Sequence, residues 1–268
     1  MAELYEPREP RLAESFRIQR RVIGALLMRE ILTRYGRHNI GFLWLFVEPM
    51  LFTIGVTIVW SSLRSLHGSS LPIAAFALTG YSSVLLWRNM PGRCIGAVKP
   101  NFALMHHRYV KVIDVFMARL VLEAMGATMA FVALSLFFIF IGLIQPPQDV
   151  LLIVEGWLML VWFGMSLALF MGSLAERSEL VDKFWHPISY FLFPMSGAAI
   201  SVDALSPGIR DVFLLFPMVH GVEIVRDGFF GALYRAHYDV GYMALFCVLL
   251  TLAAFVQLRI ISKDVVPE

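Results

Sequence analysis

Few residues of this chain have the type and spacing to do chemistry. Glu48 and Pro49 sit together inside an apolar run that follows Arg29, Arg34 and Arg37, in the stretch REILTRYGRHNIGFLWLFVEPMLF (29–52). A carboxylate within hydrocarbon is expensive, so Glu48 is expected to face protein, a water-filled cavity or a cation. Pro49 leaves a carbonyl about one turn earlier without its donor and weakens or kinks a helix there. Arg119 and Glu123 are four residues apart. At that spacing two side chains meet on one helix face, and the two are expected to neutralise each other as an intramembrane ion pair. Arg88 closes another apolar segment and is expected to reach for the surface.

The same inventory excludes several enzymes. A phosphate-cradling loop needs Gly-Lys-[Ser/Thr], whereas the four lysines follow Val98, Val110, Asp182 and Ser262. His106 and His107 are adjacent, so on a helix they point about 100° apart and cannot both hold one ion. His220 and Glu223 can share a face, but no third ligand lies at helical spacing. No Gly-x-Ser-x-Gly elbow marks a serine hydrolase. Neither a catalytic residue nor a metal site is expected. Two cysteines, Cys94 and Cys247, rule out a disulfide scaffold, and a net charge of +2 makes no case for nucleic acid.

These residues must be positioned by membrane helices. The chain is 59% apolar and 16% charged, with mean hydropathy +0.72. A soluble domain lies nearer 45–50% apolar and about 25% charged, so the lipid bilayer is the implied solvent and the fold class is an all-α integral membrane protein. A span takes about 20 apolar residues. Six segments approach this: Gly41–Leu63, Leu71–Met90, Val115–Ile144, Val150–Leu174, the shorter Pro-interrupted Phe184–Ser201, and Val240–Ile261. A seventh apolar piece, Val212–Val225, is too short to cross and is read with Phe184–Ser201 as a re-entrant or interfacial element. The division is then 1–40 as a basic N-terminal segment, 41–261 as the six-helix domain and 262–268 as a tail.

Charge sets the orientation. With six spans, sixteen Lys and Arg fall on the side of the termini, against Arg64, Arg210, Arg226 and Arg235 on the other. The positive-inside rule then places both termini, the loop 90–114 and the loop 175–183 in the cytoplasm. Leu12, Phe16, Ile23 and Leu27 share one helical face, on which Arg20 and Arg34 intrude; this suits an amphipathic helix on the inner leaflet. Arg34, Arg37 and Trp44 are expected to anchor the cytoplasmic end of the first span. Among the aromatics, Phe52, Tyr81, Tyr190 and Phe193 are candidates to face sugars, since flat apolar rings slide along C–H faces without gripping single hydroxyls.

The run LMREILTRYGRHNIGFLWLFVEP (27–49) resembles the corresponding segment of polysaccharide-export permeases, the membrane subunits of type-2 ABC exporters, and most nearly those of group-2 capsule export. RYVKVIDVFMARLVLE (108–123) and FPMVHGVEIVRDGFFG (216–231) extend the likeness. Tyr109-Val110 and Val112 depart from it where the family carries prolines. The resemblance implies a transport subunit without its own ATPase site, in the bacterial inner membrane. Two copies would form the path for a capsular or related polysaccharide, free or lipid-linked. A separate ABC ATPase would bind ATP and Mg, this chain binding no cofactor, and periplasmic and outer-membrane export proteins would complete the system. Asn101, Leu104, His107, Tyr109 and Lys111 would form the coupling helix that contacts the ATPase, with 175–183 as a second contact. Arg34, Arg37, Trp44, Glu48 and Pro49 would lie at the cytoplasmic entrance. Two competing readings are a proton-coupled secondary transporter working through Glu48, Arg119 and Glu123, and an intramembrane enzyme using His106 or His107.

Overall fold

The computed structural model describes residues 12–35, 47, 50–51, 53–59, 62, 71–107 and 110–265. Arg37, Trp44, Glu48, Pro49, Phe52 and Tyr109 lie outside the described residues, as does the His107 side chain. Within them all regular structure is helical. The order is α1 (Leu12–Tyr35), α2 (Ile73–Cys94), α3 (Phe102–His107), α4 (Val112–Phe140), α5 (Val150–Arg177), α6 (Glu179–Met195), α7 (Pro207–Phe213), α8 (Pro217–Phe230) and α9 (Val240–Val265), with short 3-10 turns between some of them.

Among the described residues three helices qualify by length and composition as membrane spans, over Val112–Phe140, Val150–Arg177 and Val240–Ser262. Their outer faces stay apolar, with Leu136, Leu158 and Leu249 exposed, as contact with lipid requires. The most central of them is α5, which packs against α2, α8 and α9. Gly164 permits a close approach to α2: a Cβ there would stand 2.8 Å from the Met90 sulfur and 3.0 Å from the Trp87 Cα. The 22-residue α2 is long enough to cross but more polar, because protein surrounds it; seventeen of its residues are buried. Its hydroxyls turn back on their own helix, Thr79 to the Ala75 carbonyl at 2.8 Å and Ser83 to the Thr79 carbonyl at 2.6 Å. That satisfies them without water.

Three expectations are corrected. The loop expected over 175–183 is a joint: Ser178 alone, in an extended conformation, separates α5 from α6. Its charges belong to helix ends, with Glu179 and Asp182 in the first turn of α6, where carboxylates favour the positive end of the helix dipole. The apolar piece 212–225 is broken, since α7 stops at Phe213 and α8 begins at Pro217, in a position that needs no N–H. At 14 residues α8 runs about 21 Å, short of the ~30 Å hydrocarbon layer.

The third concerns α1. Leu12 and Phe16 are 91% and 68% exposed, whereas Leu26 and Glu30 are buried. The buried face runs along Leu26, Glu30 and Arg34, with Val22 and Ile23 half-buried beside it, and it lies on α4. The polar intrusion is the packed side.

Candidate functional site

At one end of the bundle three helices bring five charged groups together. Glu30 and Arg34 come from α1, Arg93 from the last turn of α2, and Arg119 and Glu123 from α4. The Glu30 Oε1 lies 3.0 Å from the Arg34 Nε and 3.1 Å from the Arg119 Nε. The Glu123 Oε1 meets the Arg34 guanidinium and, at 2.9 Å, the Arg93 Nε. Arg119 also donates to the Arg93 carbonyl at 2.8 Å. The expected local pair between Arg119 and Glu123 is thus replaced by pairs across helices. Burial opposes the Arg34 charge, but Glu123 and Glu30 outweigh it and hold its pKa above the ordinary arginine value. The Arg34 side chain, expected at the membrane interface, is 15% exposed and engaged with acids.

The segment between α2 and α4 is bolted to α1 on both sides of the short α3. Before it, Asn101 is buried, accepts from Arg29 through its Oδ1, and donates to the Ala97 carbonyl at 2.7 Å. After it, Asp114 accepts the Lys111 backbone N–H at 2.9 Å and the Gln19 amide at 3.1 Å. Two of the expected contact residues are therefore reassigned. Asn101 is a fastener and is not presented outward, and Leu104 packs half-buried on the core. Phe102, Ala103, His106 and Lys111 face outward. Phe102, 53% exposed at the start of α3, escaped the sequence reading because an exposed aromatic has no periodic signature of its own.

A second surface forms where α6 crosses α2. Gly92 faces Trp185 and His186, Arg88 lies over the Tyr190 ring at 4.8 Å, and Tyr81 meets Phe193 edge-on at 6.0 Å between centroids. Three of the four aromatics singled out in the sequence thus gather on one face. Tyr81 is buried there and Tyr190 is 66% exposed. Arg88, expected to extend to the surface, stacks on Tyr190.

The opposite end is held by α8. Glu223 and Arg226 are fully buried there; Glu223 accepts the Tyr234 hydroxyl at 2.5 Å and the His237 backbone N–H at 3.0 Å. Arg226 donates to the carbonyls of Gly197 and Ala198 at 2.5 and 2.6 Å and lies 3.7 Å above the Phe76 ring. It is an internal fastener, so it leaves the tally of loop cations. Gly80 makes room for it: a Cβ would stand 2.5 Å from the Ala198 oxygen and 2.7 Å from the Arg226 Nη2. His220 and Glu223 do not converge on an ion. His220 contacts the Leu214 carbonyl at 2.8 Å through Nε2 and accepts the Asp239 N–H at 2.8 Å on Nδ1. His237 contacts Asp203 at 2.9 Å. This clasp joins residues up to 34 positions apart, and no local spacing announced it.

Oily outer faces, buried ion pairs that tie helix to helix, and a loop clamped to a basic helix define a helical integral membrane protein. The chain belongs to the ABC-2 type transporter family, whose profile matches residues 21–230. It is 42% identical over 255 residues to the capsule polysaccharide export inner-membrane protein CtrC of Neisseria meningitidis serogroup B, covering 95% of this chain and 96% of that one. Identity to the capsule polysaccharide export inner-membrane protein BexB of Haemophilus influenzae is 38% over the same extents. The polysialic acid transport protein KpsM of Escherichia coli is 26% identical over 234 residues, 86% of this chain and 90% of its own. The proton-coupled alternative finds no support in these similarities.

Proposed function

We propose that this chain is the inner-membrane permease of an ATP-driven exporter that carries a capsular polysaccharide out of the cytoplasm. The observation that carries the reading is likeness over 95% of the chain to proteins named for capsule polysaccharide export. On this reading Mg-ATP is bound and hydrolysed on a separate ABC ATPase subunit. Two copies of the chain would enclose the path, since six helices enclose little and a polymer needs a wider conduit. Periplasmic and outer-membrane export proteins would take the polymer onward.

Six spans with both termini cytoplasmic fit the crowding of cations on one side of the sequence. The brevity of α8 and its position before the last span support a re-entrant element on the outer side. The clamped segment 101–114 supports a coupling role: a push on Phe102, Ala103 and His106 passes to α1 and α4 through Asn101 and Asp114. Helices linked in this way move as rigid bodies, which suits gating by domain motion.

A strain lacking this chain should accumulate its polysaccharide internally, and expression of the chain should restore surface polymer. Purified permease that moved polysaccharide across liposomes without an ATPase would refute the reading.

A further inference from the structure

Consecutive in the chain, α4 and α5 nevertheless part from each other over the half that leads to their turn, and α5 packs instead on α2, α8 and α9. Between them lies a cleft of about 670 Å³, lined from Ala124 to Ile139 on α4 and from Val150 to Val161 on α5. Pro147 and Phe229 line it at the turn end. Phe131 and Trp157 form its floor, stacked at 4.6 Å between centroids. The first span lies elsewhere: its described residues Met50 and Thr53 stand with Ala127, Ala130 and Leu134, on another face of α4.

What the cleft offers is contact with hydrocarbon. Three side chains with a polar N–H or O–H line it, and each is engaged: Thr128 donates to the Ala124 carbonyl at 2.6 Å, Ser135 to the Phe131 carbonyl at 2.7 Å, and the Trp157 N–H to the Thr128 hydroxyl at 2.8 Å. A sugar or a headgroup finds no free side-chain donor there. Leu136 and Leu158, in the lining, also belong to the exposed apolar faces of the two spans, so the cleft is continuous with the lipid boundary. Fifteen residue steps from Ala124 to Ile139 make it about 22 Å long, enough for the chains of one leaflet, whose share of the hydrocarbon is roughly 15 Å. Its mean cross-section is then about 30 Å², less than half that of a helix about 10–12 Å across. A hydrocarbon chain fits and a helix does not. Met125 and Met129, exposed on the wall, are flexible and adapt to a ligand without fixed shape.

We propose that this cleft is a binding site for one acyl chain of a membrane phospholipid, entering from the leaflet on the side of the α4–α5 turn. The site does not depend on the export reading. A fluid chain lets α4, whose other end carries Asp114, Arg119 and Glu123, shift against α5 without opening a void.

The test uses the complex of the permease with its ATPase in nanodiscs of phosphatidylcholine carrying brominated or ordinary acyl chains. Bromine quenches a tryptophan that it touches, and Trp157, only 6% exposed, meets lipid through the cleft. Its signal is the emission of wild type less that of Trp157→Phe. Brominated chains should lower that signal at least about twofold, and Ser135→Phe or Ala124→Phe, which fill the cleft, should restore most of it. Leu249→Phe, on the exposed face of α9, should leave the quenching as in wild type. An unquenched Trp157 in wild type overturns the proposal, and this measurement decides even where a filling variant fails to fold. Quenching that survives both filling variants, in complexes of unchanged elution and melting temperature, overturns it as well. Two other occupants are read directly. Oxidative cross-linking of Met129→Cys between copies would assign the cleft to a second chain. Recovery of Trp157 emission on adding lipid-linked polysaccharide would assign it to a cargo anchor, and either result overturns the phospholipid. Failure of export with the quenching intact would instead overturn the function and leave this site standing.

Discussion

Glu123 answers two arginines from two other helices, and its side chain is only 10% exposed. Removing one member of such a group strands the rest, which is worse than replacing the whole group by apolar residues. Glu123→Gln is expected to cost about 3 kcal/mol, read as a lower melting temperature of the detergent-solubilised protein. Adding Arg34→Met should recover part of that loss, and a double-mutant cycle measures the coupling. Gly80 gives a steric counterpart. With the Ala198 oxygen and the Arg226 guanidinium inside 3 Å of any added Cβ, Gly80→Ala should destabilise by about 1–3 kcal/mol in the same assay.

The α3 segment and the α8 clasp behave as units. The outward face of α3 is Phe102, Ala103 and His106, so Phe102→Asp with Ala103→Asp should leave insertion intact and abolish co-purification of the ATPase. Leu104→Asp should instead lower the melting temperature, because that side chain packs on the core. Retained ATPase in the first case would dismiss α3 as the docking element. In the clasp, the His237 hydrogen bond holds the Asp203 carboxyl below its ordinary range. Folding therefore favours ionised Asp203. Its contribution is present above the ordinary aspartate range and is lost as the pH falls through the lowered pKa. Because Asp203 is part-exposed, Asp203→Asn should lower the melting temperature by only about 2 °C near pH 7, and the gap to wild type should close as the pH falls through the lowered pKa.

Topology is the whole-molecule question, and labelling reads it directly. Cys94 and Cys247 are both buried, so background is low. Ser15→Cys on α1 should stay unlabelled by a membrane-impermeant thiol reagent in intact cells and react after permeabilisation. Ser206→Cys, exposed before α7, should react in intact cells. Reversed labelling would invert the orientation and remove α3 from the ATPase side.

Composition, apolar run length and the ordered patches around Arg34, Arg108 and Phe216 suffice for a helical membrane protein and its family, because span-forming and family motifs are local in sequence. The starts of α5 and α9, at Val150 and Val240, were legible for the same reason. The partners of the charges were not. Arg119 and Glu123 look like a pair at four-residue spacing, yet α1 lies across α4 and offers each side chain something nearer. Likewise Asn101 looks like a surface residue until Arg29 is seen beside it, and the Glu223–Tyr234–His237 clasp joins separate elements. Helical periodicity dictates which face a residue occupies. Only the crossing of the helices dictates what that face meets.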